Sequence, residues 1–232
     1  MNNSGAGVLD RAALIEGRPQ SPRMLYHTAL RFENRAGKAR YMADKYRSIL
    51  SGSVLDVGCD QRYLRDLVAA PDKYVGVDLA PPADVCLNLD RDDLPFDDRS
   101  FDTVVCTDVL EHLERIHAVF DSLCRIARGH VIISLPAPLS SLLGDVWRGS
   151  DGWKKFYGLP VDPPADRHRW FFGFEDAKRF VIERGARQSW RPEQIDIDWD
   201  GCGRWLGPDG LEKLDAPNLR KGAMWCVMER LP

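Results

Sequence analysis

Four aspartates and two histidines carry most of the chemical content of this sequence. Asp56 lies in the apolar run VLDVG, Asp78 ends YVGVD, Asp90 precedes LPF, Asp108 and His112 fall within SFDTVVCTDVLEHL, and His168 lies in DRHRWFF. A carboxylate at the end of a strand can accept both hydroxyl protons of a ribose, a task that suits Asp or Glu better than any neutral side chain. Asp78 is the strongest such position. A positioned histidine or carboxylate can also take the proton of an alcohol, and Asp108, His112 and His168 are the candidates for that role. For His112 a structural hydrogen bond at a helix start is an equal reading, while Glu111 suits the positive end of that helix.

These residues are far apart in sequence, so elements must gather them. The pattern alternates: strands at 53–58, 74–78, 84–88, 102–106 and 130–135, with helices at 61–70 and 113–127. Short apolar strands separated by amphipathic helices indicate a parallel sheet of βαβ units, whose strand C-termini line one crevice. Leu113, Ile116, Phe120, Leu123 and Ala127 share one face of their helix, as core packing requires. Helical spacing over 25–50 predicts an N-terminal cover, from which Tyr26 and His27 would close one side of the crevice. Between 136 and 172 the alternation stops, and a proline-containing stretch carries Trp147, Trp153, Phe156, Tyr157, Trp170, Phe171 and Phe172. So long a connection in a compact domain is usually functional. With Arg167, His168 and Arg169 it reads as an acceptor lid for a sugar or phosphorylated sugar, or as packing over a flank of the sheet. A helix at 175–184 and strands at 188–197 and 223–229 complete the pattern.

The opening loop raises a question of its own. VLDVGCDQRYL begins like a nucleotide-binding turn but holds Asp60 and Arg62 where further glycines would stand. It lacks the GxGxxG of a NAD-type site. Aspartate visits the left-handed region more readily than most residues, so Asp60 can make the turn. Arg62 is expected in the first turn of the next helix, with ordinary helical backbone.

A chain of 232 residues, 44% hydrophobic and 29% charged, is long enough for a full core and suits one domain. Its formal charge of −3 argues against a nucleic-acid partner. No run reaches the length of a membrane span and the N-terminus lacks signal-peptide character, which places the protein in the cytoplasm. The six cysteines form no CxxC pair and read as reduced, partly core thiols, Cys59 included.

Taken together, VLDVGC, GVD, DRDDLPFDDRSFDTVV and DVLEHL resemble class I S-adenosylmethionine-dependent methyltransferases with a methyltransferase-11 type of domain. The resemblance covers residues 50–135. It implies an α/β, Rossmann-like seven-stranded sheet with helices on both faces and the last strand antiparallel. The single domain would comprise an N-terminal cover (1–50), a cofactor-binding core (51–135), an acceptor lid inserted after the fifth strand (136–172) and the remainder of the sheet (173–232). The resemblance assigns Asp78, with Leu79 beside it, to the ribose end of S-adenosylmethionine, and Asp90 and the Arg91 backbone to the adenine. Cys106 and Thr107 fall to the methionine part, and Asp56 and Gly58 to the first loop. Asp60 and Arg62 would grip the cofactor's ammonium and carboxylate. Methyl transfer from a sulfonium needs alignment and dryness, and no metal. The expected acceptor is a small or saccharide molecule methylated at oxygen. The altered loop leaves a second reading, a non-catalytic cofactor-fold protein serving as a binding partner in a biosynthetic complex. A (D/N/S)PP(Y/F) motif, expected of nucleic-acid amino-methyltransferases, is absent from TDVLEHL.

Overall fold

The computed structural model describes residues 23–27, 34–136, 138–149, 158–164, 167–198, 205–206, 212–213 and 223–232. Strands β1 (Arg23–His27), β2 (Val54–Val57), β3 (Tyr74–Asp78), β4 (Val85–Cys86), β5 (Phe101–Thr107), β6 (Ala127–Leu135), β7 (Trp190–Asp198) and β10 (Met224–Arg230) form one sheet in the order β1-β7-β10-β6-β5-β2-β3-β4. The short strands β8 (Trp205–Leu206) and β9 (Glu212–Lys213) pair separately. β2 is parallel to β3 and β5, β3 to β4, and β5 to β6, while β10 runs antiparallel to both β6 and β7. This is the Rossmann-like seven-stranded arrangement with its last strand reversed, extended at one edge by β1.

Alternation along the strands sends side chains to two cores. On one face Leu55, Val57, Val104, Cys106, Val131 and Ile133 pack with α2 (Ile116–Ile126) and α4 (Phe174–Arg187). On the other, Val54, Val105, Ile132, Trp225 and Val227 pack with Ala39, Met42 and Ala43 of α1 (Arg35–Lys45). Asn34 starts α1 by accepting the Gly37 N–H on its side chain at 2.8 Å.

Four expectations need correction. The N-terminal helix is shorter than 25–50, and Tyr26 and His27 lie in β1, which pairs in parallel with β7. That pairing puts them at the sheet edge remote from β2, not over the crevice. No α-helix forms over 61–70. Only a 3-10 turn, Arg65–Leu67, stands there, because Pro71 excludes helix from the residue before it and the remaining stretch is short. The 136–172 connection contains a helix, α3 (Pro138–Arg148). The other strands keep their places with shifted ends, the most curtailed being β4. Trp153, Phe156 and Tyr157 lie outside the described residues. Among those described, no helix is long and apolar enough to cross a membrane.

Candidate active site

The C-terminal ends of β2, β3 and β5 open into a cleft of about 840 Å³. Its floor is the turn after β2. Gly58 has φ +83°, and a Cβ there would meet Val109 Cγ2 at 2.1 Å, so only glycine fits. Gly58 and Cys59 donate their N–H groups to the Val77 carbonyl at 2.8 and 3.1 Å, tying the turn to β3. Asp60 and Arg62 hold φ values of 49° and 60°, so both keep the left-handed backbone of glycine-type positions. Asp60 does so as its residue type allows. Arg62 does so against expectation, and its side chain turns outward to Asp84 at 2.8 Å and the Pro82 carbonyl at 3.3 Å. It is not part of the cleft lining.

Asp78 ends β3 and lines the cleft. Its Oδ2 accepts the Asp60 N–H at 2.8 Å and its Oδ1 the Leu79 N–H at 2.7 Å, which fixes the carboxylate at the cleft wall with lone pairs still available on both oxygens. Leu79, 69% exposed, presents an apolar side chain along the same wall, with Leu87 and Leu89 nearby in the lining. Asp90 lines the cleft, its Oδ1 accepting the Arg115 N–H at 3.3 Å. Arg91 is exposed and outside the lining, and its N–H is used on the Asn88 carbonyl at 2.8 Å. Cys106 is fully buried behind the cleft, and Thr107 alone of that pair reaches the lining.

Asp56 lies at the back of the cleft, accepting the Tyr74 hydroxyl at 2.7 Å. Burial pushes its carboxyl up to about 6, opposed by the Tyr74 hydrogen bond and the Lys38 charge. The Cys59 thiol is pushed up to about 12 by burial and then by Asp56 and Asp78, which removes it as a nucleophile. All five described cysteines are free thiols; Cys202 lies outside the description.

Two cations from α1, Arg35 and Lys38, were not anticipated, since helical periodicity says nothing of which end of a sheet a helix covers. Arg35 Nη1 meets Asp60 Oδ2 at 3.0 Å, and Lys38 Nζ meets Asp108 Oδ2 at 2.5 Å, with Asp108 Oδ1 accepting the Ser134 hydroxyl at 2.5 Å. Also in the lining, Glu111, His112 and His168 converge so that one ligand atom from each lies within 4.8 Å of the others. The rings of His112 and His168 meet edge to face, 4.6 Å between centroids. His168 is brought there by backbone pairing: Arg169 donates to the Glu111 carbonyl at 2.8 Å, and Trp170 Nε1 to the Leu113 carbonyl at 2.7 Å. Trp170 also packs against His117, so it is a strut between segments and not a platform facing the cleft. Arg167 and Arg169 do line the cleft, Arg169 pairing with Glu114 at 3.2 Å.

The lining holds six carboxylates, Asp56, Asp60, Asp78, Asp90, Asp108 and Glu111, against four fixed cations, Arg35, Lys38, Arg167 and Arg169. An acidic cleft with one apolar wall and a diol-sized carboxylate site fits an adenosine bearing a sulfonium. Such a group, when bound, supplies an electrophilic methyl carbon.

A methyltransferase domain family of type 23 matches residues 27–186. The type differs from that of the sequence resemblance, and the class agrees. No curated protein matches the sequence. Among solved structures, an S-adenosylmethionine-dependent methyltransferase from Archaeoglobus fulgidus is similar at 15% identity, over 86% of this chain and 96% of that one, with a TM-score of 0.55. The YcgJ protein of Bacillus subtilis is similar at 11% identity, over 84% and 98%, with a TM-score of 0.51. Magnesium protoporphyrin IX methyltransferase of Synechocystis PCC 6803, solved with S-adenosylhomocysteine, is similar at 14% identity, over 87% and 90%, with a TM-score of 0.48. The domain match spans more than half of the chain and includes every strand that shapes the cleft, and on that ground the protein belongs to the class I S-adenosylmethionine-dependent methyltransferases.

Proposed function

We propose that the chain transfers the methyl group of S-adenosylmethionine to a hydroxyl oxygen of a small acceptor, with a sugar-containing molecule as the narrower reading. The observation that carries oxygen as the target is the Glu111, His112 and His168 cluster, which lines the same cleft as Asp78. An alcohol must lose its proton as it attacks, and imidazole and carboxylate groups suit that task. The C–S bond breaks toward sulfur as the C–O bond forms, and the hydroxyl proton leaves by way of the cluster.

In this reading Asp78 accepts the ribose hydroxyls, Leu79 and Leu89 flank the base, and Asp90 accepts the adenine amino group. Gly58, Asp60 and Thr107 line the methionine end, with Asp56 behind them. Arg35 replaces Arg62 as the cation for the cofactor carboxylate. Asp108, held by Lys38 and Ser134, orients the acceptor side. Asp60 and Arg62 keep the left-handed backbone without glycine at their positions, so the departure that suggested a non-catalytic binding partner no longer supports that reading. The saccharide reading draws on Arg167 and Arg169, which suit phosphate or hydroxyl groups.

Purified chain incubated with S-adenosylmethionine and separate pools of hydroxyl compounds, sugar nucleotides, lipid-linked saccharides, amines and carboxylic acids should add a methyl group, read by mass, to a hydroxyl pool. His168→Ala should lower turnover by roughly a hundredfold to ten-thousandfold with cofactor affinity unchanged. Methylation confined to amines would overturn the oxygen assignment.

A further inference from the structure

We propose that Glu111, His112 and His168 form a binding site for a divalent first-row transition cation, placed to hold the acceptor hydroxyl. Two imidazoles and one carboxylate suit zinc, iron, manganese or cobalt, whereas magnesium and calcium prefer oxygen alone. Metal–ligand bonds of about 2.1 Å at tetrahedral angles set neighbouring donors ~3.4 Å apart. Glu111 Oε1 and His112 Nε2 stand 3.6 Å apart, and one ligand atom from each of the three residues lies within 4.8 Å of the other two, so side-chain rotations can close the set.

The backbone around the three residues is already fixed. Glu111 and His112 belong to the 3-10 turn Leu110–His112, whose His112 N–H bonds the Val109 carbonyl at 3.0 Å. His168 is clamped to that turn by the Arg169 and Trp170 N–H groups on the Glu111 carbonyl, at 2.8 and 3.4 Å, and by the indole bond to Leu113. Two chain segments 56 residues apart, from His112 to His168, are therefore held in register at the positions that would ligate the ion. Three protein ligands leave coordination positions open toward the cleft, the arrangement of a catalytic rather than a structural site.

The inference rests on the oxygen-methylation reading for its acceptor: a hydroxyl oxygen occupying an open position on the cation loses its proton to solvent more readily, and the oxygen then attacks the methyl carbon. With the cation bound, the cluster acts on the hydroxyl proton through the ion rather than by accepting it directly, and in this the proposal departs from the metal-free expectation made from the sequence.

Chelator-treated, untagged protein should bind Co²⁺ at one ion per chain, with the visible absorption of cobalt held by nitrogen and oxygen ligands. His168→Asn and Glu111→Gln should each weaken that binding at least ~100-fold, since even outer-shell partners of a metal site cost tenfold to a hundredfold. Calorimetric titration of the same variants with S-adenosylmethionine should give the parent's affinity. His168 is partly exposed, so its variant keeps the test valid if Glu111→Gln fails to fold. Absence of Co²⁺ binding by the parent, or parent-like binding by His168→Asn, overturns the cation site. If transfer to oxygen continues in excess chelator, the cation site falls while the methyltransferase reading stands. If Co²⁺ binds as expected but only amines are methylated, the cation site stands and the oxygen reading falls.

Discussion

Asp56 is 5% exposed, and its carboxylate is held by the Tyr74 hydroxyl with its pKa pushed up to about 6 by burial, from an ordinary 3.8. In the unfolded chain the group ionises near 3.8, so between that pH and about 6 the folded state binds the extra proton. Stability from this residue is present below pH 3.8 and is lost as pH rises through about 6. A shift of that size corresponds to about 3 kcal/mol. Denaturant titrations of parent and Asp56→Asn between pH 4 and 7, without ligand, should show the parent losing that amount relative to the variant as pH rises. The two basic residues on either side of the loop give a second prediction. Arg35→Ala should weaken S-adenosylmethionine by about tenfold, a modest effect because the pair is solvent-screened, and leave adenosine binding unchanged. Arg62→Ala should show no such discrimination, since its guanidinium is engaged with Asp84. Discrimination by Arg62→Ala alone would restore the reading made from sequence. The left-handed backbone of Asp60 and the place of Asp78 at a strand end on the cleft were legible in sequence, because one local rule governs each. The direction of the Arg62 side chain was not, because it depends on Asp84, which reaches it only after the chain has turned.

Elements explain why some positions were read well and others missed. α2 buries Ile116, Val119, Phe120, Leu123 and Cys124, a stripe visible as periodicity. β1 is a five-residue run, RMLYH, whose pairing with β7 spans more than 160 residues, and short apolar runs do not distinguish strand from helix by spacing alone. The 136–172 segment reads from sequence as an acceptor lid, while its most conspicuous described ring, Trp170, serves the element junction. Trp170→Phe removes the indole bond to the Leu113 carbonyl while keeping an aromatic ring. Loosening His168 in this way should lower kcat by about tenfold or more, since small misplacement of reacting groups costs up to a hundredfold. Calorimetry should find S-adenosylmethionine affinity within twofold of the parent's, and a selective loss of cofactor affinity would contradict the assignment of this segment to the acceptor side.

At the scale of the whole molecule, α1 joins the cleft to the far half of the sheet. Its Arg35 and Lys38 line the cleft, while Lys45, at its last turn, pairs with Asp196 of β7, which is 1% exposed and also receives the Gln194 side chain. Removing one partner of a buried pair leaves an uncompensated charge and costs about 3–5 kcal/mol. Lys45→Met should therefore lower the melting temperature by roughly 10 °C, measured by calorimetry. The order of the sheet was legible as a class, because βαβ alternation admits few topologies, whereas the attachment of α1 was not, because the pair that fixes it is tertiary. The proposed hold on S-adenosylmethionine by Asp78 at the carboxyl ends of β2, β3 and β5 can be put to isothermal titration of parent and Asp78→Ala. One cofactor should bind per parent chain, and binding should be weaker by roughly a hundredfold or more in the variant, from loss of two charge-assisted hydrogen bonds of about 1.5–3 kcal/mol each. A parent chain that binds no cofactor, or an Asp78→Ala variant with the parent's affinity, would contradict it.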